Sequence, residues 1–127
     1  MLKQGIAPSQ EIRAWAENGT ILSRDPVKEE QIQPGSMDLR IADTLYKIKG
    51  IFRPTHAMSV HLSDPRIVEE VIPIPSDGVV LEKGATYLIP LQESLKLDPH
   101  AHATLNPKSS TGRIDLSTKV MGENFPV

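Results

Sequence analysis

Residues 33–41 read Gln33-Pro34-Gly35-Ser36-Met37-Asp38-Leu39-Arg40-Ile41. Pro34-Gly35 is a turn signal, and beyond it apolar and polar side chains alternate strictly. Met37, Leu39 and Ile41 would face one way and Ser36, Asp38 and Arg40 the other, which is the pattern of a half-buried strand. The sequence on either side keeps this style. Residues 24–35 are polar and lead into the turn. Residues 45–48 read as a second short strand, and 67–74 as a strand trimmed by Pro73 and Pro75. Ser76-Asp77-Gly78 is a turn, and 79–82 and 85–91 flank Lys83-Gly84 as a hairpin. Residues 101–105 and 114–121 are strand-like, with 106–113 a loop between them. One helix is expected, near the start: Ser9 as its cap, Glu11 in its first turn and Gly19 just past its end. Ile12, Trp15 and Ala16 form its apolar stripe. That stripe packs on a sheet, or Trp15 offers a stacking platform for a base. One helix and about eight short strands predict an all-β barrel or jelly-roll-like domain.

Composition agrees and excludes much else. The chain has 127 residues, the size of one domain or of a piece of a larger one. It holds 8 glycines and 11 prolines, which disfavours long helices. It has no cysteine, which removes disulfides, thiol nucleophiles, iron–sulfur clusters and thiolate zinc sites. Lys plus Arg is 14 against 16 Asp plus Glu, a net charge of −2. That balance lacks the basic excess with which proteins coat nucleic acid or acidic membranes. The sequence has no apolar run of membrane-spanning length and its start has no signal-peptide core, so a cytoplasmic chain is expected. The last residues, Glu123 to Val127, offer no cap, charged tail or strand terminator. Residues 1–127 are therefore expected to be a single domain, incomplete at its C-terminal end.

Two stretches could carry chemistry. The denser is Lys108-Ser109-Ser110-Thr111-Gly112-Arg113: two cations, three hydroxyls and a glycine. Cations and hydroxyls suit phosphate oxygens, and glycine lets backbone come close. The same composition describes a solvated surface loop. It is not a Walker A sequence. The second stretch is residues 33–40, where Asp38 and Arg40 would share a strand face, as a structural ion pair or to order a neighbouring loop. His100 and His102, two residues apart, belong to a polar loop or, given further ligands, to a metal site; no metal-ligating protein site is expected.

Together these stretches resemble the deoxycytidine triphosphate (dCTP) deaminases of the dUTPase-like fold. The resemblance is carried by residues 31–48 (QIQPGSMDLRIADTLYKI), by the hairpin at 81–91, by the short Ile/Trp helix followed by Gly19-Thr20-Ile21, and strongly by 106–119, of which the Lys108–Arg113 loop is the most specific part. It looks closest to the N-terminal half of long bacterial forms with two such units in one chain. The resemblance implies a distorted β-barrel and hydrolytic conversion of dCTP to dUTP and ammonia. It implies no zinc, with Mg²⁺ carried on the triphosphate. By position, Ser109 would help place the attacking water and Arg113 would orient the catalytic carboxylate. Lys108, Ser109, Ser110, Thr111, Gly112 and Arg113 would line the nucleotide site, for dCTP and for dUTP- or dTTP-type nucleotides. The general-base glutamate would fall past Val127, and Glu123 is too near Arg113 to be it. Family members place sites at the boundaries of homotrimers or pseudo-trimers. Two alternatives stand beside this reading. One is a dUTP diphosphatase, using Asp38 or Asp115 to activate water. The other is a non-catalytic nucleotide-binding or trimerisation module.

Overall fold

A computed structural model of the chain describes residues 5–50 and 64–118. The chain divides into two compact units, Met1–Asp38 with Glu93–Val127, and Leu39–Gln92.

The first unit opens with α1, Ser9–Asn18. Its N-cap is Pro8 rather than Ser9, with no side-chain cap, and the Pro8 carbonyl accepts from the N–H groups of Glu11 and Ile12. At the other end Gly19 takes the left-handed conformation at φ 87°, which ends the helix as its sequence suggests. Ile12 is buried, and Trp15 and Ala16 are half-buried. Strand β1, Ile21–Ser23, follows at once and pairs antiparallel with β5, Glu93–Leu95, in the register Ile21↔Leu95 to Ser23↔Glu93. The Lys96 N–H donates to the Thr20 carbonyl at 2.7 Å and extends the pairing. A single 3-10 turn, Glu29–Gln31, leads to the Pro34-Gly35 turn.

The second unit is a three-stranded antiparallel sheet of order β3-β2-β4. Its centre is β2, Thr44–Ile48, between β3, Val68–Pro73, and β4, Thr86–Leu88. Leu45 and Ile48 of β2 are buried and form the core of this unit. The register slips between Lys47 and Ile48, so that Ile48 pairs with Val68 and skips Glu69. Pro73 closes β3 on the sheet edge, where a missing N–H is tolerated.

The class is therefore all-β with a short N-terminal helix, but five expected elements differ. Residues 36–41 are not a strand. The backbone of Asp38 is engaged with Gln31, and the stretch contributes only single bridges, Ile32↔Met37 across the turn and Ile41↔Leu91. The Lys83-Gly84 turn forms, with Gly84 at φ 80°, yet β4 pairs with β2 and not with residues 79–82. Residues 101–105 and 114–118 carry no strand, and 119–121 lie outside the described residues. The expected loop at 106–113 contains a short helix, α2, Ser109–Arg113. Among the described residues there are five strands rather than about eight. Among those residues no helix is long and apolar enough to cross a membrane.

Candidate functional site

The turn chosen from composition is helical. The Lys108 carbonyl accepts from the N–H groups of Thr111 and Gly112 at 3.1 and 3.4 Å, and the Gly112 carbonyl from Asp115 at 3.1 Å. Helical spacing puts Ser109 and Arg113, four residues apart, on one face. Asp115 ends the turn in the left-handed region at φ 60°, a conformation aspartate tolerates better than most residues. Lys108, Ser109, Ser110, Gly112 and Arg113 are exposed, and Thr111 is half-buried.

Lys108 is held. Its Nζ donates to Asp38 Oδ2 at 2.9 Å, across a sequence separation of 70 residues. Asp38 is itself fixed through its main chain. Its N–H donates to the Gln31 carbonyl at 2.7 Å, and its carbonyl accepts from Gln31 Nε2 at 2.9 Å. The same Nε2 donates to Glu93 Oε1 at 2.8 Å, and Gln31 Oε1 accepts from the Lys28 N–H at 2.9 Å. Gln31 and Glu93 are 6% and 7% exposed, so the bond between them forms away from bulk water, where an unmade polar contact costs most. The route from the core to the turn is thus Glu93, Gln31, Asp38, Lys108. Sequence reading singled out Lys108 and Asp38 separately and missed Gln31 and Glu93.

The other candidates sit differently. Without a strand at 36–41, Asp38 and Arg40 have no common strand face, and the Arg40 carbonyl accepts from the Gln92 N–H at 2.9 Å. His100 and His102 are exposed; the His100 N–H donates to Asp98 Oδ1 at 2.8 Å in an Asx turn. Among the described residues no three His, Cys, Asp or Glu side chains cluster as metal ligands. His56 and His61 and Glu123 lie outside the described residues.

Two open grooves lie elsewhere. One, of about 310 Å³, runs along the second unit beside Lys47, Glu69, Glu82 and Lys83. There Lys47 Nζ donates to Glu82 Oε2 at 2.8 Å, and that bond holds the lysine above its ordinary 10.5. The other, of about 410 Å³, follows α1 past Glu11, Ala14 and Trp15. The turn at Ser109–Arg113 differs from both in presenting the Ser109 hydroxyl and the Arg113 guanidinium on one face beside a tethered lysine. Such an array can bond phosphate oxygens and orient a carboxylate or a water.

The chain has relatives of known name. It matches the 2'-deoxycytidine 5'-triphosphate deaminase (DCD) N-terminal domain over residues 3–126. The dCTP deaminase, dUMP-forming, of Mycobacterium sp. (strain KMS) is 33% identical over 113 residues, which are 89% of this chain and 58% of that protein. The protein of the same name from Methanobrevibacter smithii is 29% identical over 123 residues, covering 91% of this chain and 59% of that one. The crystal structure of 2'-deoxycytidine 5'-triphosphate deaminase from Agrobacterium tumefaciens is similar with a TM-score of 0.78 and 36% identity, over 87% of this chain and 33% of that chain. The chain spans somewhat over half the length of the curated relatives it matches. Matched almost end to end, and alike in fold to a solved member, it belongs to the dCTP deaminase family, in the part that forms the N-terminal domain.

Proposed function

We propose that the protein built on this chain hydrolyses the 4-amino group from dCTP, giving dUTP and ammonia for pyrimidine deoxynucleotide metabolism in the cytoplasm. The observation that carries this reading is the shared face of Ser109 and Arg113 on α2, next to Lys108, in a chain of this family. Water adds at C4, the C4–N bond breaks, the nitrogen leaves as ammonia and the oxygen stays on the ring. A base must take the water's proton, and hydrogen bonds must hold the charge that develops. Ser109 helps hold the water. Arg113 orients the carboxylate that takes the proton, a glutamate that the family resemblance puts past Val127. Lys108, Ser110, Thr111 and the backbone at Gly112 meet the triphosphate and sugar. The substrate is Mg·dCTP, its ion held by phosphate oxygens and water.

The exposure of the turn suits a site that further chain segments close over. We place it at a subunit boundary in a homotrimer or a pseudo-trimer. A long two-unit form, as the resemblance implies, would fit the length of the Agrobacterium protein, whereas the curated relatives are shorter. A similar stretch of this chain covers 33% of the Agrobacterium protein against 58% of the mycobacterial one, so the former is much the longer.

A second reading comes from the names of the mycobacterial and Methanobrevibacter relatives, which are dUMP-forming. In that reaction a second water also splits the α–β phosphate link and releases pyrophosphate. Product analysis of the full-length protein on Mg·dCTP decides between them. Ammonia with dUTP is expected; ammonia with dUMP and pyrophosphate selects the second reading, and binding without turnover selects a non-catalytic module. Arg113→Ala should abolish turnover and leave thermal unfolding unchanged, because the side chain is exposed and outside the core. Turnover retained in that variant removes Arg113 from the mechanism.

A further inference from the structure

We propose that Asp38 is a positioning residue for the nucleotide site: it holds the Lys108 ammonium at the head of α2, poised for phosphate oxygens. The inference rests on the reading of residues 108–113 as the nucleotide turn and adds a residue from outside it.

Lysine is a point charge on a flexible four-carbon stem, and binding an anion with it costs the freedom of that stem. In this chain part of that freedom is already removed. Lys108 Nζ bonds Asp38 Oδ2 at 2.9 Å although the lysine side chain is 62% exposed. An ammonium has three N–H groups, so the bond to Asp38 leaves others for a second anion. The post is stiffer than the side chain it holds. The Asp38 main chain is bonded on both sides to Gln31, and the Gln31 amide is anchored on buried Glu93 of β5. None of those anchors uses the Asp38 carboxylate. Its chemistry can therefore be changed without disturbing what holds the backbone.

A double-mutant cycle tests this on the full-length protein, with inorganic tripolyphosphate as the calorimetric probe and Mg·dCTP for kinetics. Lys108→Ala should weaken tripolyphosphate binding by about tenfold, the loss of one charge-assisted bond. Asp38→Ala should weaken it by about threefold, as for an exposed ion pair whose order is lost. The double variant should bind no worse than Lys108→Ala alone, because Asp38 acts only through that lysine. In the kinetics Asp38→Ala should raise KM and leave kcat within about twofold, and Asp38→Glu should restore part of the KM. Additive losses in the double variant would make Asp38 a structural residue and overturn the proposal. So would tighter binding in Asp38→Ala, which would make the carboxylate a competitor of the phosphate. A Lys108→Ala variant that binds normally would overturn both this inference and the reading of the turn, whereas additivity overturns the inference alone. Asp38→Asn, which keeps the shape and removes the charge, supplies the same comparison if the alanine variant folds poorly.

Discussion

Gln31 uses its whole amide. The carbonyl oxygen accepts from the Lys28 N–H, and the nitrogen donates to the Asp38 carbonyl and to Glu93, all at 2.8–2.9 Å, the last of them buried. Leucine has a similar volume and none of these groups, so Gln31→Leu removes one donor from a buried carboxylate and one from a main-chain carbonyl. The expected cost is about 2 kcal/mol, read as a lower urea midpoint at unchanged slope. A midpoint equal to the parent's would show that the network adds nothing to the fold. Gly19 makes a cleaner case, because only its backbone matters. The nearest atom to an added Cβ is Leu22 Cδ2 at 3.9 Å, so there is room, but φ is 87°. Gly19→Ala should cost about 1 kcal/mol, the penalty of the left-handed region for a side chain. Gly19→Asn, which tolerates that region, should cost less in the same urea titration.

Among the elements, β2 organises the second unit, and Leu45 is its most buried side chain, at 1% exposure. Leu45→Ala should destabilise by about 3 kcal/mol through lost burial and a cavity. The ion pairs act on pH instead. Lys47 is raised above its ordinary 10.5 chiefly by its hydrogen bond to Glu82, which outweighs desolvation. A raised lysine adds stability that is complete below 10.5 and is lost as pH climbs through the higher folded value. The urea midpoints of the parent and Glu82→Gln should therefore differ at neutral pH and converge on the alkaline side. Glu29 is the mirror case. Its bond to Arg13 holds it below 4.5, so its contribution is complete above that pH and fades as acid is added through the lower folded value.

The same elements show what local sequence could reveal. Pro34-Gly35, Ser76-Asp77-Gly78 and Lys83-Gly84 all turn where expected, because turns depend on the φ and hydrogen bonds of three or four neighbours. Pairing depends on distant backbone. Residues 79–82 read as the partner of β4, but β2 takes that place. The alternation at 36–41 is real, yet Asp38 gives both its main-chain groups to Gln31 and leaves no ladder to build. The candidate site divides in the same way. Its cations and hydroxyls are visible in residues 108–113. Its helical form is not, since Ser, Thr and Gly favour helix weakly and one turn needs few bonds. Its tether joins residues 70 apart, a distance at which local pattern says nothing.

For the whole molecule, burial and exposure are out of proportion. Among the described residues four apolar side chains are buried, and one of them, Leu45, is fully enclosed. Against these, Val80 is 90% and Ile6 82% exposed, and Ile41, Val71 and Ile114 also face outward. Where such apolar residues are covered by other copies, the covering adds stability that rises with concentration. This is a physical ground for the assembly proposed above, in which further chain would also complete the exposed turn at Ser109–Arg113. If neighbouring copies complete each site, losing them must cost both stability and chemistry. Dilution of the full-length protein should then lower its light-scattering mass from three chains toward one. The thermal midpoint and the turnover per chain should fall over the same concentration range. A midpoint independent of concentration would mean that the apolar surface is covered within one chain. Turnover that survives dissociation would mean that the residues around Arg113 are completed by the chain that carries them.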